Sequence, residues 1–351
     1  MSGALHHVEA DWPAFGLNDD VRPALQAAVE SGWDSVLVTL HTAIGGGPRG
    51  IGAQMVITRN AVSGYLSGGC VEADVTRHAL AVLADGQPRR LIYGEGGPID
   101  IRLPCGGRIE LLAERIPAGD PALSALLRFS VERMPCVWIS DGQRRFCLEV
   151  EDRGSPDEAV SAALAAVRRN AMRAGSRGDM LHRLYAPQQR FVVFGHDPTA
   201  LAMAMLAGQV GMETFLVRPK GPMAPPPIPN ILYIRERPAD ALARIGADPW
   251  TAVAVAMHQE EDDQEALVAA LSSKAGYVGL LGSSRRLPRK LARLVEAGIS
   301  PVDLKRLKAP IGLKIGGNSP WEIATGVIAE VIQASSELSV CRASVRSAAA
   351  A

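Results

Sequence analysis

The strongest constraint on how this chain can fold is a regular alternation of short apolar runs with helix-like runs in its second half. Strand-like runs fall at residues 190–194, 214–217, 231–234, 252–257 and 277–281, and helix-like runs at 199–210, 239–245, 263–271 and 287–297. A proline-rich loop, 219–229, stands between the second and third strands. Strands separated by helices pair in parallel, because each crossover returns the chain to the same end of the sheet. Residues 190–334 therefore read as a Rossmann-like, doubly wound parallel-sheet domain. Ser319-Pro320-Trp321-Glu322 is a capping box that opens a last helix to Gln333, and the small, polar residues 335–351 read as a disordered tail.

The first half follows a different grammar. An extension, 1–20, precedes a helix at 21–31 that Asp19 or Asp20 can cap. Strand-like runs follow at 35–40, 53–58, 62–66, 90–93 and 108–114, with a helix at 71–84 and a hairpin at 136–140 and 145–150. Ser155-Pro156-Asp157-Glu158 reads as a capping box with proline at the first helical position, opening a helix to about residue 174. Residues 176–189 are polar and mixed, and read as a linker. The expected class is α/β: an N-terminal α/β domain, 21–154, then a helix and linker, 155–189, then the Rossmann-like domain.

Two glycine-bracketed cysteines mark the first domain. Ser67-Gly68-Gly69-Cys70-Val71-Glu72 joins a strand to a helix, and Cys105-Gly106-Gly107 follows an apolar segment downstream. The glycines allow backbone conformations closed to other residues and let a ligand approach the main chain. The amides of the helix start favour an anion, and Cys70 stands where a metal-binding or reactive thiolate is well placed. Cys70 and Cys105 are thus candidate ligands of a soft metal or carriers of sulfur chemistry; the plainer reading is two small residues beside tight turns. Arg49, inside a loop with five glycines between 45 and 52, can join the loop amides in holding a phosphate. Cys136 and Cys147 fall within apolar strands and read as core.

In the second domain Gly195-His196-Asp197-Pro198-Thr199-Ala200 stands where a dinucleotide fingerprint belongs. Asp197 replaces the glycine that lets a pyrophosphate approach, and its carboxylate repels one. The second strand ends in Arg218, with Lys220 nearby, not in the acid that binds a ribose in NAD proteins, so NADP or another phosphorylated ligand suits it better than NAD. His258 closes the fourth strand beside Glu260, Glu261, Asp262 and Asp263; it reads as a metal ligand or acid/base group, the acids equally as helix-start decoration. Ser283-Ser284-Arg285-Arg286 opens the next helix and reads as an anion site or a capped helix with solvated arginines.

Composition excludes some roles. Lys+Arg 37 balance Asp+Glu 37 and aromatics are 5%, so no global field or stacking surface suits nucleic acid. No apolar run reaches membrane-spanning length, the N-terminus lacks the order of a secretory signal, and five cysteines without regular spacing fit a reducing cytoplasm.

With these residues in view, the chain resembles the XdhC/CoxI family, accessory proteins of molybdenum hydroxylases. The resemblance runs from about Ala24 to Gln333. It rests on Gly47-Pro48-Arg49, Gly52-Ala53-Gln54-Met55, Ser67 to Glu72, Pro104 to Gly107, Gly279 to Arg286, Ala309 to Leu313 and Ser319 to Ala324. It implies a chaperone, not an enzyme, that binds the molybdenum cofactor, protects it while its sulfido ligand is installed and delivers it to a hydroxylase. The implied partners are a cysteine desulfurase, a second copy of the chain and the hydroxylase large subunit. The degraded fingerprint and Arg218 depart from a nucleotide-binding pattern. The alternative carried forward is an NADP-dependent oxidoreductase using the Rossmann-like domain.

Overall fold

A computed structural model describes residues 17, 19–45, 49–97, 103, 106–155, 157–169 and 173–345, with side chains described for the same residues except 284 and 336–345. The chain divides into two compact units, the first ending at Ala186 and the second beginning at Pro187.

The first unit runs α1 (Arg22–Glu30), β1 (Ser35–Ile44), β2 (Gln54–Ile57), β3 (Val62–Gly64), α2 (Glu72–Asp85), β4 (Arg89–Tyr93), β5 (Arg108–Ile116), α3 (Pro121–Val131), β6 (Cys136–Ser140), β7 (Arg145–Glu149), α4 (Glu158–Arg168), β8 (Ala174–Arg177) and β9 (Met180–Tyr185). Among the described residues, two antiparallel sheets form, ordered β3-β2-β1-β5-β4 and β7-β6-β9-β8. Val71, Val75, Ala79 and Val82 make the buried face of α2 and pack with Val36, Val38 and Leu40 of β1. Pairing of Ile44 with Arg108, Tyr93 with Ile109 and Met55 with Gly64 sets several loops at one end of the first sheet. These are the loop after β1, the exit from β3 and the Gly106-Gly107 element.

The linker expected at 176–189 is absent from the fold: β8 and β9 occupy most of it and complete the second sheet. Met180, Leu181, His182 and Tyr185 are buried there, an interrupted apolar pattern that reads as mixed polar sequence. Helix α3 also went unread, although Asp120 caps it through Ala122 N and Leu123 N. Asp157, not Ser155, caps α4. Asp20 accepts from the Arg22 amide at 3.0 Å just outside α1.

The second unit runs β10 (Arg190–Gly195), α5 (Pro198–Gln209), β11 (Glu213–Val217), β12 (Ile231–Ile234), α6 (Pro238–Ile245), β13 (Thr251–Ala256), α7 (Glu260–Ser272), β14 (Tyr277–Leu280), a single turn (Ser284–Arg286), α8 (Leu287–Glu296), α9 (Pro301–Leu304), β15 (Leu307–Lys308) and α10 (Pro320–Val345). Its strands are parallel, ordered β12-β11-β10-β13-β14-β15, as the alternation requires. Period-two packing buries both faces: Val192 and Phe194 face α6 and α7, while Phe191 and Val193 face α5 and α10. Glu322 closes the expected capping box by accepting from Asn318 N and Ser319 N. The tail expected to be disordered from 335 is helical through Val345: no proline or glycine interrupts it, and it continues a helix already nucleated and packed at its start.

Glu114 ties the first unit's two sheets together. It is fully buried on β5 and accepts from Trp138 Nε1 at 3.1 Å, Ser140 Oγ at 2.6 Å and Arg145 Nε at 3.2 Å. Burial pushes its carboxyl above the ordinary value, only partly offset by Ser140, Arg145 and Trp138. Arg145→Ala is therefore expected to cost about 3 kcal/mol by stranding a buried carboxylate. Arg115→Ala, which breaks the half-exposed pair with Asp34, is expected to cost under about 1 kcal/mol. Urea denaturation of both variants measures this; equal losses would deny Glu114 its role.

Candidate functional site

The Ser67–Glu72 loop leaves β3 at the end of the sheet shared with the other glycine loops. Gly68 and Gly69 have φ of +85° and +116°, and a Cβ on either would meet nothing within 4 Å. The glycines are there for the left-handed backbone, not because a neighbour crowds the chain. The expected free amides are not free. Glu72 Oε1 accepts from Leu66 N at 2.9 Å, Ser67 N at 2.6 Å and Gly68 N at 3.2 Å. Its Oε2 accepts from Ser67 Oγ at 2.7 Å, Gly69 N at 2.8 Å and Val71 N at 3.2 Å.

Ser67 Oγ in turn accepts from Cys70 N at 3.0 Å. The loop's anion seat is thus filled by the chain's own carboxylate, which corrects the expectation that a ligand anion sits on these amides. What the loop leaves over is Cys70, an exposed thiol on a braced backbone.

Arg49 is also engaged. It stacks over Tyr65 at 4.5 Å, donates to Tyr65 Oη at 3.2 Å and pairs with Asp19. Tyr65 therefore joins Arg49 to the segment entering the cysteine loop, a contact no local motif announces. Gly106 has φ of +69°, and Gly107 packs where a Cβ on Gly45 would lie 3.4 Å from its Cα. Cys105 lies outside the described residues. Cys136 and Cys147 are buried in β6 and β7, as their apolar context suggests.

In the second unit, Gly195 is required by packing: a Cβ there would lie 2.6 Å from Ala200 Cβ and 3.0 Å from Ala256 O. Asp197 caps α5 through Ala200 N at 2.8 Å, and its other oxygen lies 2.8 Å from His258 Nε2. His258 has φ of +68°, and its ring stands edge-on to His196 with centroids 6.4 Å apart. These groups stand between the carboxyl ends of β10 and β13, where strand order reverses and dinucleotides usually bind.

Three of the four acids after His258 are committed elsewhere: Glu260 to Arg289 and Arg293, Asp262 to Lys220, Asp263 to Lys290 and the Met257 amide. No metal-holding group of three His, Cys, Asp or Glu side chains occurs among the described residues. The helix-decoration reading of those acids is the one the contacts fit.

Ser283, Arg285, Arg286 and His258 do come together. They line one cavity of about 380 Å³ with Lys290, Leu281, Leu287, Ala309 and Pro310. Lys290, unremarked in the sequence, forms a buried ion pair with Asp263 in its wall. The side chain of Ser284 lies outside the described ones.

Burial raises the Glu72 carboxyl, but Ser67 and the loop amides outweigh it and hold it below the ordinary 4.5. A depressed folded value means stabilisation that is whole above pH 4.5 and lost as pH falls through the folded value. Glu72→Ala is expected to cost about 2–3 kcal/mol at neutral pH by orphaning buried donors. The variant should also lose part of the acid limb of the melting-temperature profile. An identical acid limb in both proteins would refute the assignment.

Comparison with known proteins covers both units. The profile of the XdhC Rossmann domain matches residues 191–331, and that of the XdhC and CoxI family matches residues 28–94. The chain is 33% identical over 342 residues to the molybdenum cofactor insertion chaperone PaoD of Escherichia coli, covering 94% of this chain and 95% of that one. It is 27% identical over 339 residues to a Bacillus subtilis protein named as a probable xanthine dehydrogenase component, covering 90% and 98%. A crystal structure of a Bacillus halodurans protein named as a xanthine dehydrogenase matches with a TM-score of 0.68 at 23% identity, covering 90% and 96%, which shows a shared fold. On these matches across its two units, the chain belongs to the XdhC and CoxI family.

Proposed function

We propose that this protein is a molybdenum cofactor insertion chaperone that serves a xanthine dehydrogenase or aldehyde oxidoreductase-type hydroxylase. In this reading it is a carrier and maturation factor, and the cofactor is its cargo. The observation that carries the reading is the exposed Cys70 on a loop braced by Glu72, in a chain similar over nearly its whole length to a protein named for that task.

A thiolate is a soft ligand suited to a soft metal centre. Cys70 is the proposed molybdenum ligand, with Cys105 as the second candidate. Gly68 and Gly69 give the loop its path, and Gly106 and Gly107 bring a second tight turn to the same end of the sheet. Glu72 acts as a positioning residue, since its oxygens are spent on the loop, and Arg49 braces the approach through Tyr65. Ser283, Ser284, Arg285, Arg286, His258 and Gly195 are proposed as cofactor-binding residues of the second unit, taken by itself.

The carrier holds the cofactor while its sulfido ligand is installed and then passes it on. The proposed partners are a cysteine desulfurase as sulfur donor, a second copy of the chain as dimer mate and, as recipient, the hydroxylase large subunit. Such work belongs in the cytoplasm; no helix among the described residues is long and apolar enough to cross a membrane. The rival NADP-dependent oxidoreductase would need a pyrophosphate where Asp197 and His258 pair, so it ranks second.

Incubation with isolated molybdenum cofactor, gel filtration and assay of molybdenum and pterin tests the proposal. The protein is expected to retain both, and Cys70→Ala to lose most of the molybdenum while keeping its circular dichroism and melting temperature. Failure of the unmodified protein to retain either component would sink the reading. Full retention by Cys70→Ala and by Cys105→Ala would remove the thiols from it.

A further inference from the structure

We propose that the Rossmann unit holds an organic phosphate monoester in the cavity at the carboxyl ends of β13, β14 and β15. That is one strand along from the crevice where such folds usually bind a dinucleotide. Two observations combine. At the usual place, between β10 and β13, Asp197 presents a carboxylate and is paired with His258, which repels a pyrophosphate. In the neighbouring cavity the charge balance is reversed. Arg289 and Arg293 are matched by Glu260, and Lys290 by Asp263, whereas Arg285 and Arg286 form no ion pair among the described residues. Both line the cavity, so it carries two uncompensated guanidinium charges.

Adjacent guanidiniums are matched best by a dianion with several acceptor oxygens, and a phosphate monoester is one near neutral pH. The same cavity has an apolar side made by Leu280, Leu281, Leu287 and Pro310. At about 380 Å³ it has room for a body attached to the phosphate. An inorganic ion would leave that side unused. Ile311 closes over β14, where a Cβ on Gly279 would lie 2.3 Å from its Cδ1, and Ile311 N donates to Leu280 O at 2.9 Å. This contact sets Ala309 and Pro310 as the cavity's far wall. The inference deepens the chaperone reading by stating how phosphate-bearing cargo is gripped, but it stands on this unit's own geometry.

Isothermal titration calorimetry on the full chain tests it. The probes are phosphate monoesters of a pterin, a purine nucleoside and a pyrimidine nucleoside, together with inorganic phosphate and the unphosphorylated bodies. At least one ester is expected to bind roughly tenfold or more tightly than inorganic phosphate and than its own body. The preferred body distinguishes a pterin from a nucleotide source. Arg285→Gln combined with Arg286→Gln, both exposed and safe for folding, is expected to weaken that ester roughly tenfold or more.

Arg237→Gln and Arg244→Gln, exposed cations of the same unit outside the cavity lining, are expected to leave ester affinity unchanged. No ester binding, an unaltered affinity in the double arginine variant, or an equal loss in either of these two variants would each overturn the inference. Ester binding without molybdenum retention would count against the chaperone reading alone, and retention without ester binding against the cavity alone.

Discussion

The carboxylate of Glu72 is the interaction on which the path of the first unit's Ser67–Glu72 loop depends. It is buried, and it collects five backbone amides and one hydroxyl from the loop that precedes its own helix. An isolated charge in such a place would be costly; surrounded by donors, it shapes the backbone around it. The physics that lets a helix start bind a phosphate is used here to fold a loop. With its amides engaged, the loop presents Cys70 as an exposed thiol.

A comparable displacement organises the second unit. The glycine at the head of the fingerprint is kept, yet it serves helix–strand packing, with Ala200 and Ala256 against it. The next position of the motif is an acid that caps a helix and holds a histidine. Positive charge gathers instead at the neighbouring strand ends: Glu260, Asp262 and Asp263 at the start of α7 are spent on Arg289, Arg293, Lys220 and Lys290, and Arg285 and Arg286 form no ion pair among the described residues. A Rossmann fold fixes where loops converge; which loop carries charge of which sign decides what can bind there.

Residues whose pattern repeats along the chain were legible without coordinates. The strands 231–234, 190–195 and 136–140 announce themselves by apolar runs bounded by turns, and the Ser319 to Glu322 cap by its spacing. Strands β8 and β9 were not legible: histidine and arginine interrupt the apolar residues of β9, β8 reads Ala-Gly-Ser-Arg, and what orders them is the pairing of β9 with β6 and of β8 with β9. The helical stretch beyond Gln333 was missed for a related reason: its small polar residues carry little periodicity, and it is the packed, already nucleated start of α10 that extends it.

The sequence by itself determined the two-unit plan, the parallel sheet, the glycine-dependent loops and the family, because each rests on local spacing or on motifs contiguous in the chain. Tertiary structure alone decided what those motifs do. It put the Glu72 carboxylate on amides that read as free, and it paired Asp197 with His258 across 61 positions. It also brought the Gly279 to Arg286 segment and the Ala309–Pro310 segment onto one cavity. Local spacing says which groups can bind an anion. Only the folded neighbours settle whether a charge from the same chain has already taken the place.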